Sequence, residues 1–487
     1  MSVYQFQMWN KIFAVDVESG NFFEIDATAA QAIPLLERYS VPDAVLKLSK
    51  THKPEIAAET VKSLIRMKKK GMLFSSRSDN ESPLRRRITD ITLNIVKGCN
   101  LRCRYCWNQF GAYKENSSGE ISRMNTDVAF KAVDLLLKES HGSRDVVVDF
   151  YGGEPLLNFG LIKEVIRYCG DKQKKRNINF RFLLATNGTL LDKEKGEFLI
   201  GNGVDVALSL DGPRKIQDTQ RPFPGNKGSF GRIMKNLSLL KKGYRERLVG
   251  RATFTPYSQD IIKTFKFLRS MGFERIEVCE SEQAGYGLQS KNRFFFTGES
   301  GLRRLKTLYN DLAAFYADEV MKGTLNYENT YFNRFFKQLS RLYHIQSVTG
   351  TCSAGFSLMA VDMDGGIYPC TAFVGIPRFM IGDAFSGINE KKLSGFLNTK
   401  ISSSNDCKIC WAKRICRGCG SCYNLNYFAS RKANRPDPYY CDLFRYKTQL
   451  MMAMIATIGE KDPNRLEDVF IPEYYAARGR RKRKESV

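Results

Sequence analysis

Six short apolar runs alternate with helix-length segments between residues 91 and 279, and this alternation constrains the fold more than any other feature of the chain. The runs are ITLNIV (91–96), VVVDFY (146–151), NFRFLLAT (179–186), VDVALSL (204–210), RATFT (251–255) and RIEVC (275–279). Between them lie segments such as TDVAFKAVDLLLKES and IIKTFKFLRSMG, whose apolar residues recur at helical spacing. Strand–helix–strand units in series build a parallel sheet, because each return crosses a face of the sheet. The fold class is therefore α/β, a partial barrel or a doubly wound sheet, and in both the strands' C-terminal ends carry the site. The notable motifs fall at those ends: CNLRCRYC (99–106) follows the first run, GGEP (152–155) the second, TNG (186–188) the third and SLDGP (209–213) the fourth. Gly-Gly and Asp-Gly are ordinary turn dipeptides, but four such motifs on one rim exceed what turns alone require.

At 487 residues the chain has room for roughly three domains. No apolar run approaches the ~20 residues of a membrane span, and MSVYQFQMWNKIF lacks the order of a secretory signal, so a cytoplasmic protein is expected. In that reducing compartment thirteen cysteines point to metal or iron–sulfur ligation rather than disulfides. The formal charge of +25 includes RGRRKRK (478–484), which reads either as a solvated tail or as a means of steering an acidic partner, peptide or nucleic acid.

Cys99, Cys103 and Cys106 form a C-x₃-C-x₂-C loop. A [4Fe–4S] cube normally takes four cysteines, so three would leave one iron open; zinc with a distant fourth ligand is the competing reading. CNLRCRYC after a first strand with GGEP after a second resembles the radical SAM superfamily. That resemblance implies a partial (β/α)6 TIM-like barrel and S-adenosylmethionine (SAM) bound at the open iron. It also implies cleavage to a 5′-deoxyadenosyl radical, driven by an electron donor such as a flavodoxin or ferredoxin. By the same resemblance Gly152, Gly153 and Glu154 meet the SAM amino group, while Ser209, Asp211 and Arg221 serve its carboxylate and ribose. Thr186 and Asn187 line the pocket, and Tyr105 and Trp107 flank the cluster loop, either packing near adenine or covering the cluster. Asp211 and Cys279, the latter ending the sixth run, are the catalytic candidates, with core packing the alternative for Cys279.

The C-terminal cysteines repeat the theme. Cys352 and Cys370 precede CKICWAKRICRGCGSC, which holds Cys407, Cys410, Cys416, Cys419 and Cys422, and Cys441 follows. On spacing alone these suit a zinc ribbon or an iron–sulfur knot. They resemble a SPASM domain with two auxiliary [4Fe–4S] clusters: Cys407, Cys410, Cys416 and Cys441 in the outer one, Cys352, Cys370 and a third cysteine in the inner one. Where that pattern puts the third cysteine this chain has Gly420, with Cys419, the favoured ligand, and Cys422 on either side.

The first 76 residues read as two strands around Ser19-Gly20 followed by helices AAQAIPLLERY and AETVKSLIRMKKKG, capped by Gly71. They resemble the winged-helix-like RiPP recognition element, which binds a leader peptide on a sheet edge; a plain packing or dimerisation domain is the alternative. The expected organisation is a recognition domain (1–76), linker (77–89), barrel (90–300), helical bridge (301–345), SPASM domain (346–445), and helix with basic tail (446–487). FRFLLATNGTLL, SLDGP, GRATFT and YPCTAFVG fit the same resemblance, to maturases that form thioether crosslinks in ribosomally made precursor peptides. Carbon–carbon or ether crosslinking and formylglycine formation are the enzymatic rivals. Sulfatase maturases place an Asp directly after the second SPASM cysteine, where this chain has Thr371. An iron–sulfur regulator binding nucleic acid would leave the open-iron loop and GGEP without a purpose, so neither nucleic acid nor membrane is expected as a partner.

Overall fold

The computed structural model describes residues 2–76, 86–106, 121–240, 244–281, 293–325, 342, 352–398, 405–416 and 436–470. Its first unit is an antiparallel sheet of β1 (Val3–Met8), β2 (Lys11–Asp16) and β3 (Phe22–Ile25), in that order. Helices Ala27–Arg38, Val41–Leu48 and Pro54–Lys69 cover one face. Two elements here escape the sequence reading. β1 joins β2 through Trp9 and Asn10, both at positive φ, a tight hairpin turn without the glycine that usually flags one. The Val41–Leu48 helix starts directly after its neighbour, with the Ser40 hydroxyl accepting from the Asp43 amide as N-cap. Gly71, at φ +65, closes the third helix as expected, Met72 N–H donating to the Met67 carbonyl at 2.9 Å.

The opposite face of this small sheet packs on the rest of the chain. Phe13 and Val15 enter the main core, and Tyr4 stacks on Trp411 at 4.6 Å between ring centres. Trp9 Nε1 donates to Asn310 Oδ1 at 2.8 Å, and Lys413 pairs with Glu18 at 2.6 Å.

The main sheet contains β4 (Asp90–Lys97), β6 (Asp145–Gly152), β7 (Asn179–Thr186), β8 (Val204–Ser209), β9 (Val249–Phe254) and β10 (Arg275–Glu280), all parallel and neighbours in chain order. The two-residue β5 (Ser122–Arg123) pairs with β4. Chain-order pairing without a reversal is barrel topology; a doubly wound sheet would switch direction partway. The fold is therefore the α/β partial barrel. Alternation sorts the side chains by face. On β6, Val146, Val148 and Phe150 are buried under the helices, while Val147, Asp149 and Tyr151 point to the other side, into the lumen. Register puts Thr92 and Asp149, Ser209 and Arg251, Arg251 and Glu277, and Thr253 and Cys279 on that lumenal face.

The sheet does not stop at β4. β11 (Leu358–Val361) pairs with β4 in parallel, and β12 (Gly366–Tyr368), β13 (Gly382–Asp383) and β14 (Gly387–Ile388) continue it antiparallel. The cysteine-rich segment expected as a separate unit thus completes the barrel's first edge, where an eight-residue apolar strand would otherwise expose its backbone. The boundaries expected at 300/301 and 445/446 fall inside helices, Gly298–Met321 and Pro438–Lys461, which pack along each other. A helical segment keeps one continuous hydrogen-bond ladder, so a domain boundary inside it has no structural meaning. No described helix is long and apolar enough to cross a membrane.

Candidate active site

The cluster loop leaves β4 through Gly98, at φ +109, and is fixed from behind. Arg102 N–H donates to the Pro222 carbonyl at 2.7 Å and Arg104 N–H to the Gln220 carbonyl at 2.9 Å. Cys103 is buried, and Cys99 and Cys106 are partly so. Burial, reinforced by the Glu154 carboxylate and then Cys106, pushes Cys99 up to about 12; burial, with Cys106 and Cys99 adding to it against Arg221, pushes Cys103 well above its ordinary value. Sulfurs held in this way become thiolates only when a cationic centre compensates them. The Leu101 and Asn187 N–H groups already donate to the Cys99 sulfur, at 3.4 and 3.6 Å, as cluster sulfurs require. Among the described residues no trio of Cys, His, Asp or Glu is arranged to hold a single ion.

The GGEP turn lies directly against this loop. Gly153 N–H donates to the Val96 carbonyl at 3.1 Å and Glu154 N–H to the Gly98 carbonyl at 3.2 Å. A Cβ on Gly153 would stand 1.8 Å from the Gly98 oxygen, and one on Gly152, at φ +140, 2.3 Å from the Val96 oxygen. The sequence needs glycine twice because two backbones touch. Glu154 is buried and accepts from Thr186 Oγ1 at 2.6 Å, Asn187 N–H at 2.7 Å and Leu156 N–H at 3.1 Å. Burial nevertheless pushes its carboxyl up to about 7, so the carboxylate is poised to meet a cation. Asn187 also donates to Asn100 Oδ1, and Asn100 to Thr189 Oγ1, each at 2.8 Å, lacing the third loop to the first. Asn100 and Thr189 are absent from the sequence-level candidates, although Asn100 stands inside the cysteine motif.

Asp211, expected to serve as a catalytic group, has a closed environment. It is 1% exposed, accepts from Tyr105 OH at 2.5 Å, Gln220 Nε2 at 2.7 Å and Thr253 N–H at 2.9 Å, and pairs with Arg221 at 3.0 Å. Arg221 also lies over the Tyr105 ring at 5.3 Å. A carboxylate with every oxygen engaged is an anchor for the cluster loop rather than a free acid or base. Gln217 and Gln220 complete this network, and no motif announced them. Ser209 and Cys279 sit on the lumenal face of β8 and β10, both partly exposed; Cys279 Sγ is 3.8 Å from the Ala252 carbonyl.

At the second cysteine group, Cys441 occupies the first turn of the Pro438–Lys461 helix. Burial, then Cys416, Cys407 and Cys410, push its thiol up to about 12, while Arg445 opposes them. Four thiols from two segments, 405–416 and the Pro438–Lys461 helix, thus share one neighbourhood. Cys352 and Cys370 pack with Cys407 against the core of Tyr368, Phe373, Phe379 and Phe396. Trp107, Cys419, Cys422 and the 478–484 tail lie outside the described residues.

Residues 93–278 match the model of the Radical SAM superfamily. A cysteine-type anaerobic sulfatase-maturating enzyme of Clostridium perfringens is 24% identical over 360 residues, 72% of this chain and 92% of that protein. Native anSMEcpe, solved with bound AdoMet and Cp18Cys peptide, superposes with a TM-score of 0.62 at 22% identity, over 77% of this chain and 100% of that one. Streptococcus suis SuiB bound to precursor peptide SuiA superposes at 0.51 and 16% identity, over 90% and 98%. The fold and the rim loops define a radical SAM domain. Residues 93–278 are thus a radical SAM domain, for which SAM and a [4Fe–4S] cluster are the cofactors.

Proposed function

We propose that this enzyme oxidises a ribosomally made precursor peptide, joining a cysteine sulfur to a substrate carbon as a thioether. The observation that carries this reading is the N-terminal unit docked on the cysteine-rich segment. Among the described residues β3 pairs only with β2, which leaves its outer backbone edge to accept an extended leader peptide. The likeness to SuiB, solved with its precursor peptide, spans 90% of the chain, against 77% for the sulfatase-maturase fold.

In this reading Cys99, Cys103 and Cys106 hold the first cluster, and Gly152, Gly153 and Glu154 receive the SAM amino group. Thr186 and Asn187 orient Glu154, Ser209 faces the pocket from β8, and Arg221 and Asp211 fix Tyr105. Cys407, Cys410, Cys416 and Cys441 hold an outer auxiliary cluster; Cys352, Cys370 and Cys419 hold an inner one. Together the bound cofactors supply one-electron chemistry that removes a hydrogen atom from the substrate, with a flavodoxin or ferredoxin as electron source. The chain's part is to hold the peptide over the lumen and to keep water from the reacting carbon.

The sulfatase-maturase relative favours a second reading, formylglycine formation. Against it, Thr371 follows Cys370, and a threonine hydroxyl does not take a proton near neutrality. Anaerobic co-expression with candidate precursor peptides, followed by mass spectrometry, decides between them. Loss of two hydrogens with a cysteine that resists alkylation supports the thioether. A new aldehyde trapped by a hydrazide supports formylglycine, loss of two hydrogens with all thiols reactive indicates a carbon- or oxygen-based crosslink, and an unchanged peptide overturns the maturase reading.

A further inference from the structure

The lumenal face of the barrel carries acids at several levels, and nearly all are engaged. Asp205 pairs with Arg181 at 2.9 Å and Arg275 at 3.3 Å, and Glu277 pairs with Arg251 at 3.4 Å. Glu154 and Asp211 are saturated as described above. Asp149 differs. Its carboxylate receives one long hydrogen bond, from Thr92 Oγ1 at 3.4 Å, and forms no ion pair among the described residues. It is partly exposed to the lumen on β6, three residues before Gly152, or ~10 Å down the strand from the GGEP turn. Tyr151 stands between them on the same face.

Resting on the peptide-oxidation reading above, we infer that Asp149 faces the substrate residue and accepts the proton that the peptide gives up during its oxidation. The balance requires such a group. A peptide that loses two hydrogens releases one as a hydrogen atom to the bound cofactor and the other as a proton, from S–H as the new sulfur–carbon bond forms. One electron is left over, and a one-electron acceptor of the iron–sulfur class takes it. The proton needs a base inside the water-poor lumen, close to the rim yet free of a permanent partner.

The surroundings tune Asp149 for that role. Burial pushes its carboxyl up to about 6, Asp90 on β4 adds to the rise, and Thr92 and Arg251 hold it down. Leu183 faces it from β7 at the same level, and among the described residues the cation that acts on it, Arg251 on β9, is shared with Glu277 on β10. A base titrating just below neutrality is ionised when the substrate arrives and strong enough to hold the proton.

The test uses the full-length, cluster-loaded protein and whichever precursor peptide the wild type converts. In D149N, crosslinked product falls by about 100-fold, while deoxyadenosine release and peptide affinity stay within about threefold of wild type. D149E restores part of the yield. The wild-type product rate falls as pH drops below about 6, where Asp149 takes up a proton, and this limb moves in D149E. Product within threefold of wild type in D149N overturns the inference, and so does a loss of peptide affinity matching the loss of product, which would make Asp149 a binding contact. If the wild type converts no peptide, the proposed function fails, and wild-type-minus-D149N infrared spectra still judge Asp149. A protonated-carboxyl band at about pH 5 that vanishes by about pH 7 supports a raised base, and its absence at pH 5 overturns it.

Discussion

The end of β10 is tied to the two long helices by one buried polar contact, and cutting it yields a prediction with a calculable pH dependence. Glu280 pairs with Lys447 at 3.0 Å and accepts from Tyr309 OH, and the two charged side chains are each 14% exposed. Lys447 stands two turns beyond Cys441 on the same helix. Lys447→Met removes the cation and leaves the carboxylate in place. Breaking a buried pair in this way typically costs ~3–5 kcal/mol. Protonation of Glu280 limits that cost: from its ordinary value of 4.5, holding the proton at about pH 7.5 takes about 4 kcal/mol and at about pH 5.5 about 1.4 kcal/mol. In the wild type burial acts to raise the group, but Lys447 and the Tyr309 hydroxyl outweigh it and hold the carboxyl low. Its contribution is therefore present above the unfolded value and is lost as pH falls through the folded one. In the variant burial dominates, the carboxyl rises, and the penalty grows with pH. Guanidinium unfolding at the two pH values is expected to show roughly a threefold larger loss at the higher one, and E280Q combined with K447M recovers most of it. Equal losses at both pH values, or additive effects in the double variant, would refute the reasoning.

Gly153→Ala forces apart two backbones that would meet at 1.8 Å; the two hydrogen bonds across them break at about 1 kcal/mol each, and iron content of the anaerobically purified protein falls with the melting temperature. Asp211→Asn unpairs buried Arg221 and loosens Tyr105; a loss of about 3 kcal/mol is expected in the same unfolding assay, with an altered electron paramagnetic signature of the reduced cluster. Asp149→Asn stabilises the fold near neutrality, because its carboxyl is raised from 3.8 to about 6 and wild-type stability therefore falls as pH climbs between those values; a gain of about 1–3 kcal/mol at pH 7, absent at about pH 4, is the expected unfolding result. Trp411→Ala removes the ring beneath Tyr4 and costs about 3 kcal/mol or more of local packing, read as faster limited proteolysis within residues 2–76.

The six barrel strands and the four rim motifs were legible because each rests on a local signal: apolar runs bounded by breakers, glycine where backbones touch, cysteines at ligand spacing. Every barrel run became a strand within two residues of its expected ends. What local signals miss is of two kinds. β1 and the Val41–Leu48 helix were missed because their punctuation, Trp9-Asn10 and Ser40, is not the usual one. Gln217 and Gln220 were missed because a buried amide is recognisable only once its partners from β8 and β9 surround it.

The linear chain by itself determined the parallel α/β scaffold, the placing of three thiols beside a double glycine, and the rim on which chemistry is built, since these follow from spacing along a few residues. Only the tertiary structure decided that β11 closes the first barrel edge, that Asp211 is spent on Tyr105 and Arg221, and that Asp149 keeps its carboxylate in the lumen on one long hydrogen bond, without an ion pair among the described residues. Identical carboxylates separated by 62 positions differ in role because burial and partners, not residue type, set the free energy of their charge.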